Sequence, residues 1–354
     1  MHTILALNPG STSTKIGLFE DDRCLFKEVM RHPAEDIPPD LGREEQARYR
    51  RESLIGLLRK KNVDLGTLSA LVVRGGLLKP LSSGTYLVDD HIYNDLIRAK
   101  YGWHASNLGA IIALPLAGEY GIPVYTVDPV TVDEFDPPAR YSGLEGVPRL
   151  SMSHALNMKA MARRAAAMAG KQYEELNLVV VHLGSGISVS AHRLGKMVDV
   201  NNANEEGPFS LERCGTLPAL ALVRLCYSGN HSREEAVKLI TSRGGIYSYL
   251  GTKDFSEVES RVISGDSEVT AVVKAMAYQV AKEIGAMAAV LDGSVDRIVI
   301  TGGMAHAENF VEMIKEKVGF IASLTVLPGE EELEALAAGA LRVLSGETEA
   351  LSYL

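Results

Sequence analysis

Eight residues near the N-terminus, Asn8-Pro9-Gly10-Ser11-Thr12-Ser13-Thr14-Lys15, carry four hydroxyls and one ammonium. Glycine lets backbone N–H groups approach an anion closely, and hydroxyls add donors that carry no charge. An ordinary polar hairpin holds similar residues, so this segment alone leaves the choice open. Three more loops have the same character: Arg74-Gly75-Gly76, His182-Leu183-Gly184-Ser185-Gly186-Ile187-Ser188 and Thr301-Gly302-Gly303-Met304. Each follows an apolar run that reads as a strand, and open α/β sheets bind ligands beyond their strand ends. Together the four loops point to phosphate. They do so without a Walker loop, since no Gly-x-x-x-x-Gly-Lys-Ser/Thr occurs and the first turn joins strand to strand. Gly184-x-Gly186 lacks the third glycine of a dinucleotide fingerprint, and the absence of a His-Arg-Asp or Asp-Phe-Gly set excludes a protein kinase.

These loops need elements to hold them. Residues 3–7, 15–19 and 24–29 read as an antiparallel meander whose first hairpin is hydroxyl-rich. Residues 178–181, 187–191 and 197–200 repeat it, with the glycine–serine turns offset by 184 − 10 = 174 positions. An offset of half the chain points to duplication. Helical and strand-like segments alternate after each meander: a helix at 43–60 and strands at 68–73 and 124–127, then a helix at 269–291, a strand at 297–300 and a last helix at 333–344. Such alternation predicts two α/β domains. Pro137-Pro138, Gly143, Gly146 and Pro148 mark the boundary, giving domains at 1–150 and 151–332, with 333–354 completing the first.

A length of 354 residues suits two domains, and 46% hydrophobic with 23% charged residues is an ordinary globular composition. Lys and Arg number 36 against 45 Asp and Glu, a net charge of −9, which argues against nucleic acid or an anionic membrane as partner. An anionic substrate therefore needs local cations. Cys24, Cys214 and Cys226 have no metal-ligand spacing and read as reduced thiols of a cytoplasmic protein. Neither a basic signal segment nor an apolar run long enough to cross a bilayer is present. A homo-oligomer is the expected assembly.

Residues 8–15 resemble the opening motif of the acetate and butyrate kinases, relatives of actin, the sugar kinases and the heat-shock chaperone ATPases. Residues 182–188 resemble that family's second phosphate loop, and residues 301–304 its adenosine loop. Residues 74–80 and 328–337 look more like the butyrate than the acetate branch. The resemblance implies two duplicated actin-like, ribonuclease-H-like α/β domains around a nucleotide cleft. It also implies ATP-dependent, reversible phosphorylation of a short-chain carboxylate, butyrate or a branched C4–C5 acid, to an acyl phosphate plus ADP, with Mg²⁺. Acetate or propionate is the alternative acceptor, and a non-kinase actin-like ATPase the alternative class. A sugar kinase would want an aspartate base, for which Asp128 is the candidate.

A carboxylate and a triphosphate held about 4 Å apart repel by roughly 4 kcal/mol per charge pair at an effective dielectric near 20. Cations must offset that repulsion. By resemblance, Asn8, Ser11 and Ser13 orient the phosphate and the metal's waters; Thr12 belongs to the same nucleotide-binding loop, and Lys15, inside the turn, neutralises phosphate or pairs with an acidic neighbour. His154 donates to the phosphoryl group in flight. His182, Gly184, Ser185 and Gly186 form the second phosphate loop, Gly302 and Gly303 the nucleoside loop, and His104 touches substrate. Arg74 is assigned to clamp carboxylate or phosphoryl oxygens. Asp128 orients an arginine or the metal, and Glu331, counted from the preceding proline, is metal-associated through water, with Glu332 its neighbouring alternative. Two family arginines are not found where the motifs place them: Leu71 and Leu217 stand there, which predicts a more apolar acyl pocket.

Overall fold

The first seven-residue strand, β1 (Thr3–Pro9), is buried on both faces, as its nearly continuous apolar run requires of a central strand. The computed structural model describes residues 1–33, 35–37 and 41–354. β1 turns through Gly10–Thr12 into β2 (Ser13–Glu20), which pairs with β3 (Arg23–Arg31). Helix α1 (Arg43–Lys60) follows, with Ala47, Arg50, Leu54 and Leu58 forming its buried stripe. Next come β4 (Ala70–Arg74), β5 (Thr85–Leu87), α2 (Asp90–Ile97), α3 (Leu108–Gly118) and β6 (Val124–Val127). The sheet order is β3-β2-β1-β4-β6-β5, antiparallel in the meander and parallel from β1 through β6. α3 lies close over β4 because Gly109 is there: a Cβ would sit 2.9 Å from the Arg74 carbonyl.

A second unit repeats the plan. After α4 (Ala155–Met168), β7 (Asn177–Leu183), β8 (Ile187–Arg193) and β9 (Lys196–Val200) form another antiparallel meander. Short helices α5 (Ala219–Cys226), α6 (Arg233–Thr241), α7 (Gly245–Leu250) and α8 (Phe255–Ile263) precede the long α9 (Ser267–Val290). β10 (Arg297–Gly302), α10 (Glu308–Val318) and β11 (Leu324–Pro328) complete the sheet, in the order β11-β10-β7-β8-β9. Read outward from the meander, β9-β8-β7-β10-β11 matches β3-β2-β1-β4-β6 in order and direction. The duplication read from the glycine–serine turns is thus present in the topology.

The last helix, α11 (Glu332–Leu344), packs on β1, β4 and β6 of the first unit. Gly339 permits this, since a Cβ there would lie 2.5 Å from the Val127 side chain. The units are Met1–Val132 with Glu331–Leu354, and Asp133–Glu330. The break therefore falls before the proline–glycine segment that marked it in the sequence. Segment 133–149 is stitched to the second unit: Asp136 N donates to Val198 O (3.0 Å), and Glu134 accepts from Met197 N (2.8 Å) and Lys159 Nζ (2.6 Å). Among the described residues, no helix is long and apolar enough to cross a membrane.

Candidate active site

Each unit carries its own cluster of chemistry-bearing side chains. In the first, Arg74 ends β4 and Asn8 lies near the end of β1, its neighbour in the sheet. Both meet one carboxylate: Arg74 Nη1 stands 2.7 Å from Glu332 Oε1, and Asn8 Nδ2 donates to Glu332 Oε2. Glu332 is only 8% exposed. It is therefore Glu332, in the first turn of α11, that this cluster holds, whereas Glu331 sits one residue before the helix at its cap. Gly75 and Gly76 let the chain after Arg74 run against Pro129 and Asn107, where a Cβ would approach within 2.5 Å. Asn107 fixes that bend by accepting from Leu77 N (2.9 Å) while donating to Leu96 O and Gly102 O.

The other first-unit candidates divide into exposed donors and anchors. Ser11, Thr12 and Lys15 are exposed and Ser13 is half-buried, with Lys15 in register opposite Asn8. The Nδ1 atom of His104 accepts from Ser106 N (3.2 Å), capping a short 3₁₀ turn, and contacts Ser106 Oγ at 2.8 Å. Asp128 is 2% exposed, and its Oδ1 accepts from Ser83 Oγ (2.6 Å) and Gly84 N (2.8 Å). These bonds make it an anchor of the 83–84 turn. Leu71 is wholly buried in the core beneath β4, so it lines no acyl pocket.

In the second unit His182 is the penultimate residue of β7, 1% exposed, and His154 immediately precedes α4. Their imidazoles stack, with centroids 3.9 Å apart and planes 11° from parallel. His154 Nδ1 is 3.0 Å from Ser188 Oγ, and His182 Nδ1 is 2.8 Å from Asn157 Oδ1. The other ring nitrogen of His182 faces Glu330 at 3.4 Å. Gly302, at φ +93°, must be glycine, because a Cβ would lie 2.3 Å from Leu183 O. This close approach sets the 302–304 loop beside the 184–186 loop. Next to both is a cavity of about 280 Å³, walled by Leu211, Phe255 and Met304 and edged by Ser256, Glu259 and His306.

One residue went unnoticed in the sequence. A Cβ at Gly186 would lie 2.3 Å from Arg213 Nη1, so the guanidinium packs directly on the 184–186 loop. Its Nε is buried without a hydrogen-bond partner, and burial pushes the group below the usual arginine value. In the sequence Arg213 lies four residues before Leu217, where the family motif places an arginine.

A family model described as the acetokinase family matches residues 136–351, more than half of the chain. The chain belongs to the acetokinase family. Solved structures share the fold across nearly the whole length. The acetate kinase of Porphyromonas gingivalis is 20% identical, with 97% of this chain and 100% of that one covered at a TM-score of 0.79. A propionate kinase from Francisella tularensis subsp. tularensis SCHU S4 gives 19% identity, 96% and 99% coverage and a TM-score of 0.74. The resemblance extends to a ROK hexokinase from Thermus thermophilus, at 17% identity, 97% and 100% coverage and 0.52. The two units of this acetokinase-family chain thus share the α/β fold of these acetate, propionate and sugar kinase structures.

Proposed function

We propose that this chain transfers the γ-phosphoryl group of ATP reversibly to the carboxylate of a short-chain fatty acid of four or five carbons. The observation that carries the choice of acceptor is the state of Asp128. A hydroxyl acceptor needs a carboxylate base, and the candidate base is buried and committed to Ser83 and Gly84. What the end of β4 offers instead is the guanidinium of Arg74, which suits an acceptor already carrying its nucleophilic charge. The preference for a longer acid over acetate rests on residues 74–80 and 328–337, which resemble the butyrate branch.

In this reading the Gly10–Ser13 turn receives phosphate in the first unit, and Gly184–Gly186 with Arg213 receives it in the second. His154 donates to the transferring oxygens, held by Ser188 and by its stack on His182. His182 supports the phosphate loop, with Asn157 fixing its ring. Mg²⁺ supplies charge neutralisation on the phosphates when bound. One carboxylate and one amide, Glu332 and Asn8, are hard oxygen donors of the right kind. They are too few to hold the ion alone, which suits a metal brought in on the nucleotide.

The expected self-association belongs to the same proposal. Helix α5, with sequence ALALVRLC, has no buried residue, and Leu220, Val223 and the adjacent Tyr227 are exposed. A second copy would cover them, and the mass in solution measures it. Hydroxamate trapping across C2 to C6 acids, with ADP release counted against glucose and no acceptor, tests the activity. Hydroxamate with C4 or C5 acids above acetate is expected. ADP release that follows glucose would overturn the acceptor.

A further inference from the structure

Behind the first phosphate turn lies a charge that the scheme above leaves unused. Arg50 belongs to the buried stripe of α1, and at 1% exposure it is the largest fully enclosed side chain in the chain's described core. Its Nη1 donates to Gly10 O (2.9 Å), Ser13 O (3.2 Å) and Thr14 Oγ1 (3.2 Å), and its Nη2 to Ser11 O (2.8 Å). The Thr12 carbonyl accepts from His32 N (2.8 Å), while His32 Nε2 lies 2.9 Å from Thr14 Oγ1. Every carbonyl from Gly10 to Ser13 is therefore held from within.

That arrangement orients the other side of the turn. In a trans peptide the N–H points opposite to the carbonyl of the same plane. Drawing the Gly10 and Ser11 carbonyls onto one guanidinium turns the Ser11 and Thr12 N–H groups away from it, on residues that are exposed. The charge itself is unbalanced. Among the described residues no carboxylate forms an ion pair with Arg50, and burial pushes its guanidinium down to about 10, still charged at neutral pH. A buried charge without a counter-ion is costly, and folds seldom keep one that does nothing.

We propose that Arg50 is a positioning residue for phosphoryl transfer: it fixes the Gly10–Ser13 turn with the Ser11 and Thr12 N–H groups outward, and its missing counter-ion is the phosphate that turn receives. This rests on the carboxylate-kinase reading for its reaction, though not for its binding component. A lysine cannot replace it, because one ammonium lacks the planar fork that reaches four oxygens at once.

The test compares Arg50→Lys and Arg50→Met with Leu54→Ala, a core truncation one turn further along the same buried stripe. Two quantities are read per folded molecule: hydroxamate turnover, split into kcat and KM, and the rise in melting temperature caused by Mg²⁺ with the non-hydrolysable β,γ-imido analogue of ATP. A misplaced phosphate turn should cost about 10²-fold in kcat, with a smaller melting shift in both Arg50 variants. Leu54→Ala should melt earlier yet keep the full shift and kcat. Should Arg50→Met fail to fold, Arg50→Lys decides. A wild-type melting shift and kcat in Arg50→Lys, or equal losses in Leu54→Ala at matched stability, would overturn the proposal. A wild type that makes no hydroxamate from any acid overturns the functional reading alone, since the melting shifts still compare the variants. A wild type that shows no shift at all overturns Arg50 as a device for positioning the phosphate turn.

Discussion

The imidazoles of His154 and His182 lie face to face at 3.9 Å, with Nδ1 of His154 3.0 Å from Ser188 Oγ and Nδ1 of His182 2.8 Å from Asn157 Oδ1. The stack joins a residue at the entrance of α4 to the penultimate residue of β7, so the proposed donor would reach its place by packing against the base of the 184–186 loop. A donor fixed in this way acts chiefly in the transition state. His154→Ala should therefore lower kcat by about a hundredfold to a thousandfold, equivalent to about 2.7–4 kcal/mol. Nucleotide affinity should change little. Single-turnover rates beside melting curves check this, and a stable, fully active His154→Ala protein would end the assignment.

Asn157→Ala tests the other half of the stack. Asn157 is buried, and its Oδ1 lies 2.8 Å from His182 Nδ1. Its loss should free the His182 ring and lower kcat by about tenfold or more without changing the acid preference. Asn157→Asp keeps an acceptor at the same position and should recover part of that loss. Equal kinetics in all three proteins would show that the ring is held by packing alone.

Arg74 and Glu332 make a different pair, because each leaves the other stranded. Arg74→Ala removes the guanidinium from a carboxylate that is 8% exposed, and breaking such a pair costs about 3 kcal/mol. Adding Glu332→Gln neutralises the orphan and still lets Asn8 donate to the new amide oxygen. The double variant should thus regain most of the stability while remaining inactive. Activity returning together with stability would reduce Arg74 to a structural cation.

Stability should also depend on pH through His32. Burial first, and the Arg50 charge second, push its pKa down to about 4, so the folded protein keeps this ring neutral below the usual histidine range. The unfolded chain takes up the proton near 6.5, so between about 6.5 and 4 it binds more protons than the folded one. Stability is therefore full above 6.5 and falls as pH drops through that window, by at most about 1.4 kcal/mol per pH unit for one such group. His32→Asn should flatten the fall. The slope that remains includes His192, whose pKa burial also holds well below the usual value. Denaturant midpoints at several pH values decide it: an unchanged slope in His32→Asn removes the coupling.

The duplicated meanders were legible because a strand, a glycine–serine turn and a second strand are local patterns. The helix read at 43–60 spans those residues for the same reason. Arg50 was not legible as anything but one of several arginines on that helix, since its burial comes from the turn folding over it. Counting from Pro328 singles out Glu331 and leaves Glu332 as its neighbouring alternative, because a proline does not set the phase of a helix. That phase, fixed by α11 packing on β1 and β4, brings Glu332 to Asn8 and Arg74. The break at Val132 was misplaced because a proline–glycine segment looks like a linker, yet here it is fastened along β9.

Arg213 reverses the energetics of Arg74, because it lacks the carboxylate partner that Arg74 has among the described residues. Its guanidinium makes no hydrogen bond or ion pair among the described residues, and its Nε is buried without a partner. Removing it strands nothing and relieves a desolvated charge. Arg213→Gln should leave the melting temperature unchanged or raise it. Turnover should nonetheless fall by about a hundredfold or more, because the charge is kept for an anion arriving at Gly184–Gly186. Gly186→Ala offers a check from the other side: its Cβ would meet Nη1 at 2.3 Å and displace the guanidinium without deleting it. Both variants should then show similar losses in kcat and in ADP affinity. If Arg213→Gln loses stability and activity in proportion, the residue is part of the scaffold, and the positive charge that meets the phosphates in this unit must come from elsewhere.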